Sequence, residues 1–537
     1  MRRLLPLTLA SAVSFTVGST QVAAQDATHH DHAPGAHAGA RLGTVTFSNS
    51  GAPAAQRPFL RGLALLHSFE YDDARTAFRE AQRADSDFAM AYWGDALTFA
   101  QLLWGLDYAD SARVALARLG PTREARLARA GTARERQYGA AIEALFDTTD
   151  QKGRVRAYLA GLRALTAAHP KDLEARALLA IALLMPKAES PAEAKQQTEE
   201  SIALAQSIFA ASPDHPGGAH YLIHAADNPQ YASRGLAAAR AYDKIAPDAE
   251  HALHMPSHIF VQVGAWEDVV SSNERAWPAS RAWVKSHGVP NTELSFHALW
   301  WLQYGYLQEG RYAAAKALID TVRTVLTGID WAGSDAIDAR YAEEQFRFSY
   351  ARESGDWSVY GGHAPAWVVA NPKVTGDRAT FFANAEIYRI ALVAALVSDT
   401  AQAKRVMDSL PERAVISRAQ VAGLLAKARR DTANWIASLE AAAKADERVV
   451  HLGPPNVYPA HELLGDAVLA VGRAREAVAA YEKGLELMPN RSRSLLGLAQ
   501  AQRAAGNPAG AQRTEARLRR NWRAADSGVS SRIADRR

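Results

Sequence analysis

A 34-residue recurrence near the C-terminus constrains this chain more than any other feature. Leu464, Gly465, Gly472 and Ala477 return as Leu498, Ala499, Gly506 and Ala511, each one 34-residue step later, and Tyr481 and Pro489 fill out the first unit. A period of this length belongs to units of two helices and a turn. One such pair cannot bury its apolar face alone, so successive pairs stack and share a core that grows lengthwise. The expected fold is therefore all-α, an α-solenoid of helix-turn-helix repeats with some irregular inserts. Composition agrees, because 48% hydrophobic and 22% charged residues, in Ala and Leu runs broken by Arg and Glu, favour helix.

The pattern resembles the tetratricopeptide repeat, in which small residues let two helices approach closely and a proline ends the second. It returns at Tyr71, Ala74, Phe78 and Ala81, and again at Gly310, Tyr312 and Ala315. Inserts fall around residues 105 to 130 and 320 to 340, and residues 350 to 430 are less regular. The resemblance spans most of residues 55 to 515 and implies a curved array whose first helices line a concave, partner-binding groove. Such motifs specify a fold and hardly any function.

The flanks read differently. Residues 1–24 carry Arg2 and Arg3, an apolar run from Leu4 to Val17, and small residues at Val22, Ala23 and Ala24, the pattern of a cleavable secretory signal. A periplasmic or secreted protein is expected, and no later segment has the ~20 apolar residues that spanning a membrane needs. Residues 25–45, with His29, His30, His32 and His37, read as a flexible His-rich arm, residues 46–520 as the repeat array, and 521–537 as a basic tail. The chain has no cysteine, so a soft-metal site must be built from histidine or methionine. Its formal charge of +4 is spread without a basic block, which argues against nucleic acid as a partner.

The chemistry-bearing residues cluster in the middle. If Pro247 ends one unit, that unit starts near Pro216 and the next near Glu250, so that His220 and His224 correspond to His254 and His258. At 100° per residue, His220, His224 and Asp227 share a ~60° arc, and so do His251, His254 and His258. Each helix then presents one polar stripe, and packed helices about 8 to 10 Å apart could bring the two stripes onto a common ion. Neutral imidazole suits a transition metal such as Zn or Cu, with Asp227 as a ligand or as a group orienting an imidazole. Five histidines and one carboxylate exceed one tetrahedral shell, so some would sit behind the ligands or the groove would hold two ions. Pro256 interrupts the second stripe; its cost vanishes if the helix begins near Ala252.

Beyond this cluster, His297, Trp300 and Tyr304 take the first helix of a later unit and are expected to wall the ligand groove. His461 opens "HELLG", which lacks the second histidine of the zinc-protease motif H-E-x-x-H because Gly465 stands there. The segments H-Y-x-I-H-A-x-D, here His220 to Asp227, and H-A-L-H-M-P-S-H-I-F, here His251 to Phe260, resemble a subset of exported bacterial tetratricopeptide proteins with no established activity. Three readings follow: a metal- or ligand-binding protein, a metal-dependent enzyme using the same histidines, and a metal-free scaffold for a protein or peptide partner.

Overall fold

The computed structural model describes residues 39–104, 106–185, 188–329, 331, 337–361 and 377–533. The expected signal and most of the expected arm lie outside them. Among the described residues the regular structure is α-helix with a few short 3-10 turns, and there is no strand. Helices follow one another in packed pairs: Pro53–His67 with Tyr71–Ala84, Pro216–Ala226 with Ala232–Ile245, and Phe296–Gln308 with Tyr312–Val325. Val415–Ala428 pairs likewise with Thr432–Asp446, Ala460–Ala470 with Ala474–Leu487, and Ser492–Ala504 with Pro508–Asn521. These are the helix-turn-helix repeats of a tetratricopeptide-like α-solenoid.

One turn recurs between the helices of a pair. Phe69, Gly264, Gly310, Ser398, Arg430, Gly472 and Gly506 all have positive φ. In every case the next residue donates its N–H to the carbonyl four residues before the positive-φ residue, at 2.8–3.0 Å, as in Glu70 to Leu65 and Arg473 to Val468. This is the Schellman closure, which satisfies carbonyls orphaned at a helix end and needs a left-handed residue that glycine adopts most cheaply. The recurring glycines Gly472 and Gly506 therefore mark a backbone conformation. Gly465 serves packing instead, since a Cβ there would lie 2.8 Å from the Tyr481 ring.

The array is not one-dimensional, as a simple solenoid would be, because units far apart in sequence touch. Near the N-terminus, Trp283 donates its indole N–H to Asp73 at 3.0 Å, and His67 meets the Tyr221 hydroxyl at 2.9 Å. From the other end, the indole of Trp266 donates to the Asn490 carbonyl at 2.9 Å, and the amide of Asn490 donates to the Gly264 carbonyl at 2.9 Å. Trp522 and Val529 crowd Gly310, so residues 521–533 are packed and do not trail as a tail. The end of the expected arm is also tied down. Arg41 pairs with Asp248 at 2.9 Å, and Leu42 and Val45 are buried, because apolar side chains there find the repeat surface.

A buried ionic knot holds the C-terminal return. Arg491, 1% exposed, donates to Glu353 at 3.0 Å, to both oxygens of Glu462 at 3.0 and 3.1 Å, and to the Tyr304 hydroxyl at 2.9 Å. Arg352 adds a bond to Glu353 at 2.8 Å. Burial alone would raise the Glu353 carboxyl, but Arg491 and Arg352 override it and hold the group down at about 2.

Removing one partner of a buried pair leaves an uncompensated charge, at a cost of about 3–5 kcal/mol. Glu462→Ala should lower the unfolding free energy by about that much, read by denaturant titration. Glu353 titrates lower in the folded than in the unfolded chain, so its contribution is complete above its ordinary value of 4.5 and is lost as pH falls toward about 2. Glu353→Gln should be less stable at neutral pH and lose less stability than the parent across that window.

Candidate metal centre

The histidine cluster begins with a close approach of two helices. His215 caps the helix Pro216–Ala226, its Nδ1 accepting the Gly218 N–H at 3.2 Å, and Pro216 takes the first helical position, where its missing N–H is harmless. A Cβ on Gly217 would lie 2.7 Å from His67 Nδ1, so glycine lets the end of the helix Pro53–His67 press against this one. The contact sets the His67 carbonyl 2.6 Å from His220 Nδ1, which donates to it. The lone pair of His220 is therefore on Nε2, and that atom is buried with no hydrogen-bond partner.

The second expected stripe is broken. The chain forms Glu250–His254 and then Pro256–Val263, with Met255 between them and Pro256 again at the first helical position. Proline has no N–H to continue the ladder, so the helical hydrogen bonding is interrupted there, while Met255 keeps helical dihedrals at φ −54° and ψ −35°. A helix that starts near Ala252 and runs on through Pro256 is thus corrected to two short helices. The histidines also group differently from the two-stripe expectation: His254 and His258 stay together across Met255, while His251 joins His220 and His224.

Two three-histidine sets result. His220, His224 and His251 form the first, and His254, His258 and His297 the second; within each set, one nitrogen per ring lies within 4.8 Å of the others. Asp227 belongs to neither set as a ligand. Its Oδ2 accepts from His258 Nδ1 at 2.7 Å, and its Oδ1 from Gln262 at 2.9 Å. His254 Nδ1 donates to Asn273 Oδ1 at 2.7 Å, and the amide of Asn273 is fixed in turn by its bond to the Val269 carbonyl at 2.8 Å.

These bonds assign the tautomers. Both His254 and His258 direct an Nδ1–H at an oxygen, and their Nε2 atoms face each other at 3.2 Å, with the lone pair of His254 turned towards His258. Two lone pairs at that distance repel unless a proton or a cation lies between them. Burial works against the proton on His254, holding its imidazole well below the usual value, with His297 and His258 adding to the effect. His224 and His251 are also pushed well down by burial, and His220 to about 3, the bond to the His67 carbonyl opposing the shift. At neutral pH these four rings are uncharged, the form that binds metal.

Aromatic rings close the cluster. Phe69, the left-handed residue of its turn, lies edge-on to His220 at 4.5 Å between ring centroids and stacks on His224 and His251 at 5.3 and 5.5 Å. Trp301 covers His258 at 4.2 Å and meets His254 edge-on at 5.3 Å.

The expected aromatic wall is corrected. Trp300 is buried and donates its indole N–H to Ser349 at 2.8 Å, while Tyr304 is buried against Arg491, so both are core residues. His297 is exposed and joins the second metal-competent set. One residue along a helix turns the side chain by about 100°, and that step separates Trp301, over the imidazoles, from Trp300 in the core. Phe69, Asn273 and Trp301 had no signal in sequence, since each reaches the cluster through packing.

A third group, His67, Glu174 and His215, is fully buried. Its ring nitrogens are committed: Glu174 meets His67 at 2.6 Å and His215 at 3.0 Å, and their second nitrogens meet Tyr221 and the Gly218 N–H. Burial would raise the Glu174 carboxyl, but the two histidines hold it far below the usual range. This is an ionic anchor for the backbone of His67, hence for His220.

No family model matches the chain, and no curated protein matches its sequence. Among solved structures it is similar to the human IFIT1 dimer with m7Gppp-AAAA, at 13% identity and TM-score 0.37 over 86% of this chain and 95% of that one. It is also similar to the APC/C hetero-tetramer Cut9–Hcn1, at 12% identity and TM-score 0.36 over 90% of this chain and 76% of that one. The P58(IPK) TPR domain matches at 15% identity and TM-score 0.20, over 84% of this chain and 98% of that one. No helix among the described residues is long and apolar enough to cross a membrane.

The tautomers are directly measurable. In metal-free protein at mildly alkaline pH, ¹⁵N shifts of labelled histidines should show His220, His254 and His258 protonated on Nδ1. Protonation on Nε2 of either His254 or His258 would remove the lone-pair opposition.

Proposed function

We propose that this protein binds a transition metal ion, Zn or Cu, through the histidines of its central repeats. The observation that carries the reading is the 3.2 Å approach of His254 Nε2 and His258 Nε2 with both Nδ1 protons already committed to Asn273 and Asp227. Nitrogens that ligate one ion at roughly 2.0–2.1 Å come this close to each other. Imidazoles whose far N–H is tied to a carboxylate, amide or carbonyl oxygen are oriented in the way that metal-binding histidines are. The expected signal at residues 1–24 and the absence of cysteine suit a periplasmic or secreted protein that captures metal with imidazole rather than thiolate.

Purified protein stripped by chelator, reloaded with Zn or Cu and dialysed, should retain metal by elemental analysis. His254→Ala combined with His258→Ala should lose most of it while keeping the helical circular dichroism of the parent. Asp227→Asn should weaken affinity by about 10–100-fold, because it removes the charge behind His258 and leaves the ligands in place. Metal-free behaviour of the unmutated protein in the dialysis experiment would end this reading.

The exposure of His297 favours a catalytic variant, in which three imidazoles leave a coordination position open to water or a substrate. Turnover abolished by chelation and restored by one metal would distinguish it from storage or transfer of the ion.

A further inference from the structure

Six imidazoles are more than one ion takes, and their arrangement is that of two sites in contact. Within the first set the ring centroids lie 4.7, 5.0 and 6.3 Å apart, and within the second 4.8, 5.1 and 5.8 Å. Between the sets, His224 and His258 are 6.3 Å apart and His251 and His254 6.4 Å. The gap between sets thus matches the widest spacing inside one. Each set is also oriented separately: the first by the His67 carbonyl on His220, the second by Asn273 and Asp227.

We infer that the cluster is a dinuclear centre, three imidazoles to each ion, with the two ions close enough to share one small anionic ligand such as hydroxide. The inference rests on the metal-binding reading above and adds stoichiometry, ligand assignment and ligand class.

The charges around the cluster motivate the bridging anion. The donors are imidazoles, which bring no negative charge to an ion, and of the neighbouring carboxylates Asp227 stands behind His258 while Glu70 accepts the backbone N–H of His251 at 3.1 Å. Two divalent ions would keep a net positive charge in a partly buried site, where uncompensated charge is costly. Three donors per ion leave one tetrahedral position each, and an anion placed between the ions fills both. Trp301 and Phe69 take up the apolar flanks of the second and first sets respectively.

Titration with Cu(II) alone, followed by elemental analysis and electron paramagnetic resonance, tests this. The full-length protein should take two copper ions per chain, and the integrated spin should fall below the copper content as the second ion enters, because neighbouring ions couple. His224→Ala, in the first set, and His297→Ala, in the second, should each cut the stoichiometry from two to one and restore full spin intensity, with unchanged circular dichroism. One copper per chain in the parent, or two with independent spins, would overturn the dinuclear assignment and leave the metal-binding reading standing. No retained copper at all, with zinc likewise lost in the reloading and dialysis experiment, would overturn both.

Discussion

Arg491 is the tie on which the rest of the molecule hangs. Its guanidinium is removed from water and held between Glu353 and Glu462, residues 138 and 29 positions away in sequence. A repeat array built only from neighbour contacts could vary its curvature, whereas this one is pinned where its last units meet its middle. Burying such charges is expensive and adds little net stability over apolar packing. What it adds here is selectivity, because the Arg491 guanidinium meets Glu353, Glu462 and the Tyr304 hydroxyl together only when the three segments are aligned.

The pinned alignment reaches the histidines through a short chain of bonds. Arg352, in the same knot, donates to the Pro455 carbonyl at 2.5 Å and so holds the segment between the helices Thr432–Asp446 and Ala460–Ala470. That segment offers the His451 carbonyl to Gln262 at 2.7 Å, and Gln262 also bonds Asp227, the carboxylate behind His258. Its Gly453 lies against Trp301 so tightly that a Cβ would sit 2.3 Å from the indole. The second histidine set is therefore oriented partly from the far end of the chain. The first set is oriented from the near end, through His67.

Much of this was legible in sequence, and for a clear reason. The repeat period predicts helix pairs because hydrophobic pairing and turn closure are local, and the left-handed turns at Gly264, Gly310, Gly472 and Gly506 follow the glycines. The histidine spacing of four likewise places His220 with His224 and His254 with His258, since that spacing stacks side chains on one helix face. Sequence could not show that His251 would join the first pair and His297 the second. Those assignments depend on how the helices Pro216–Ala226, Glu250–His254 and Phe296–Gln308 pack around the cluster. Nor could it show that Trp300 would be core, because a helix hydrophobic on all sides gives no phase.

By itself the sequence determined the all-α repeat fold, the crowding of histidines in two adjacent units, and the need for any soft-metal site to be made of imidazole. These are matters of period and composition, which act within one or two turns of chain. The tertiary structure decided the partition into two sets, the tautomers and the oxygens that impose them, and the apolar rings that flank the imidazoles. Those rest on contacts between residues such as Phe69, Asp227, Asn273 and Trp301, whose proximity arises only when separate units pack and the array closes on Arg491.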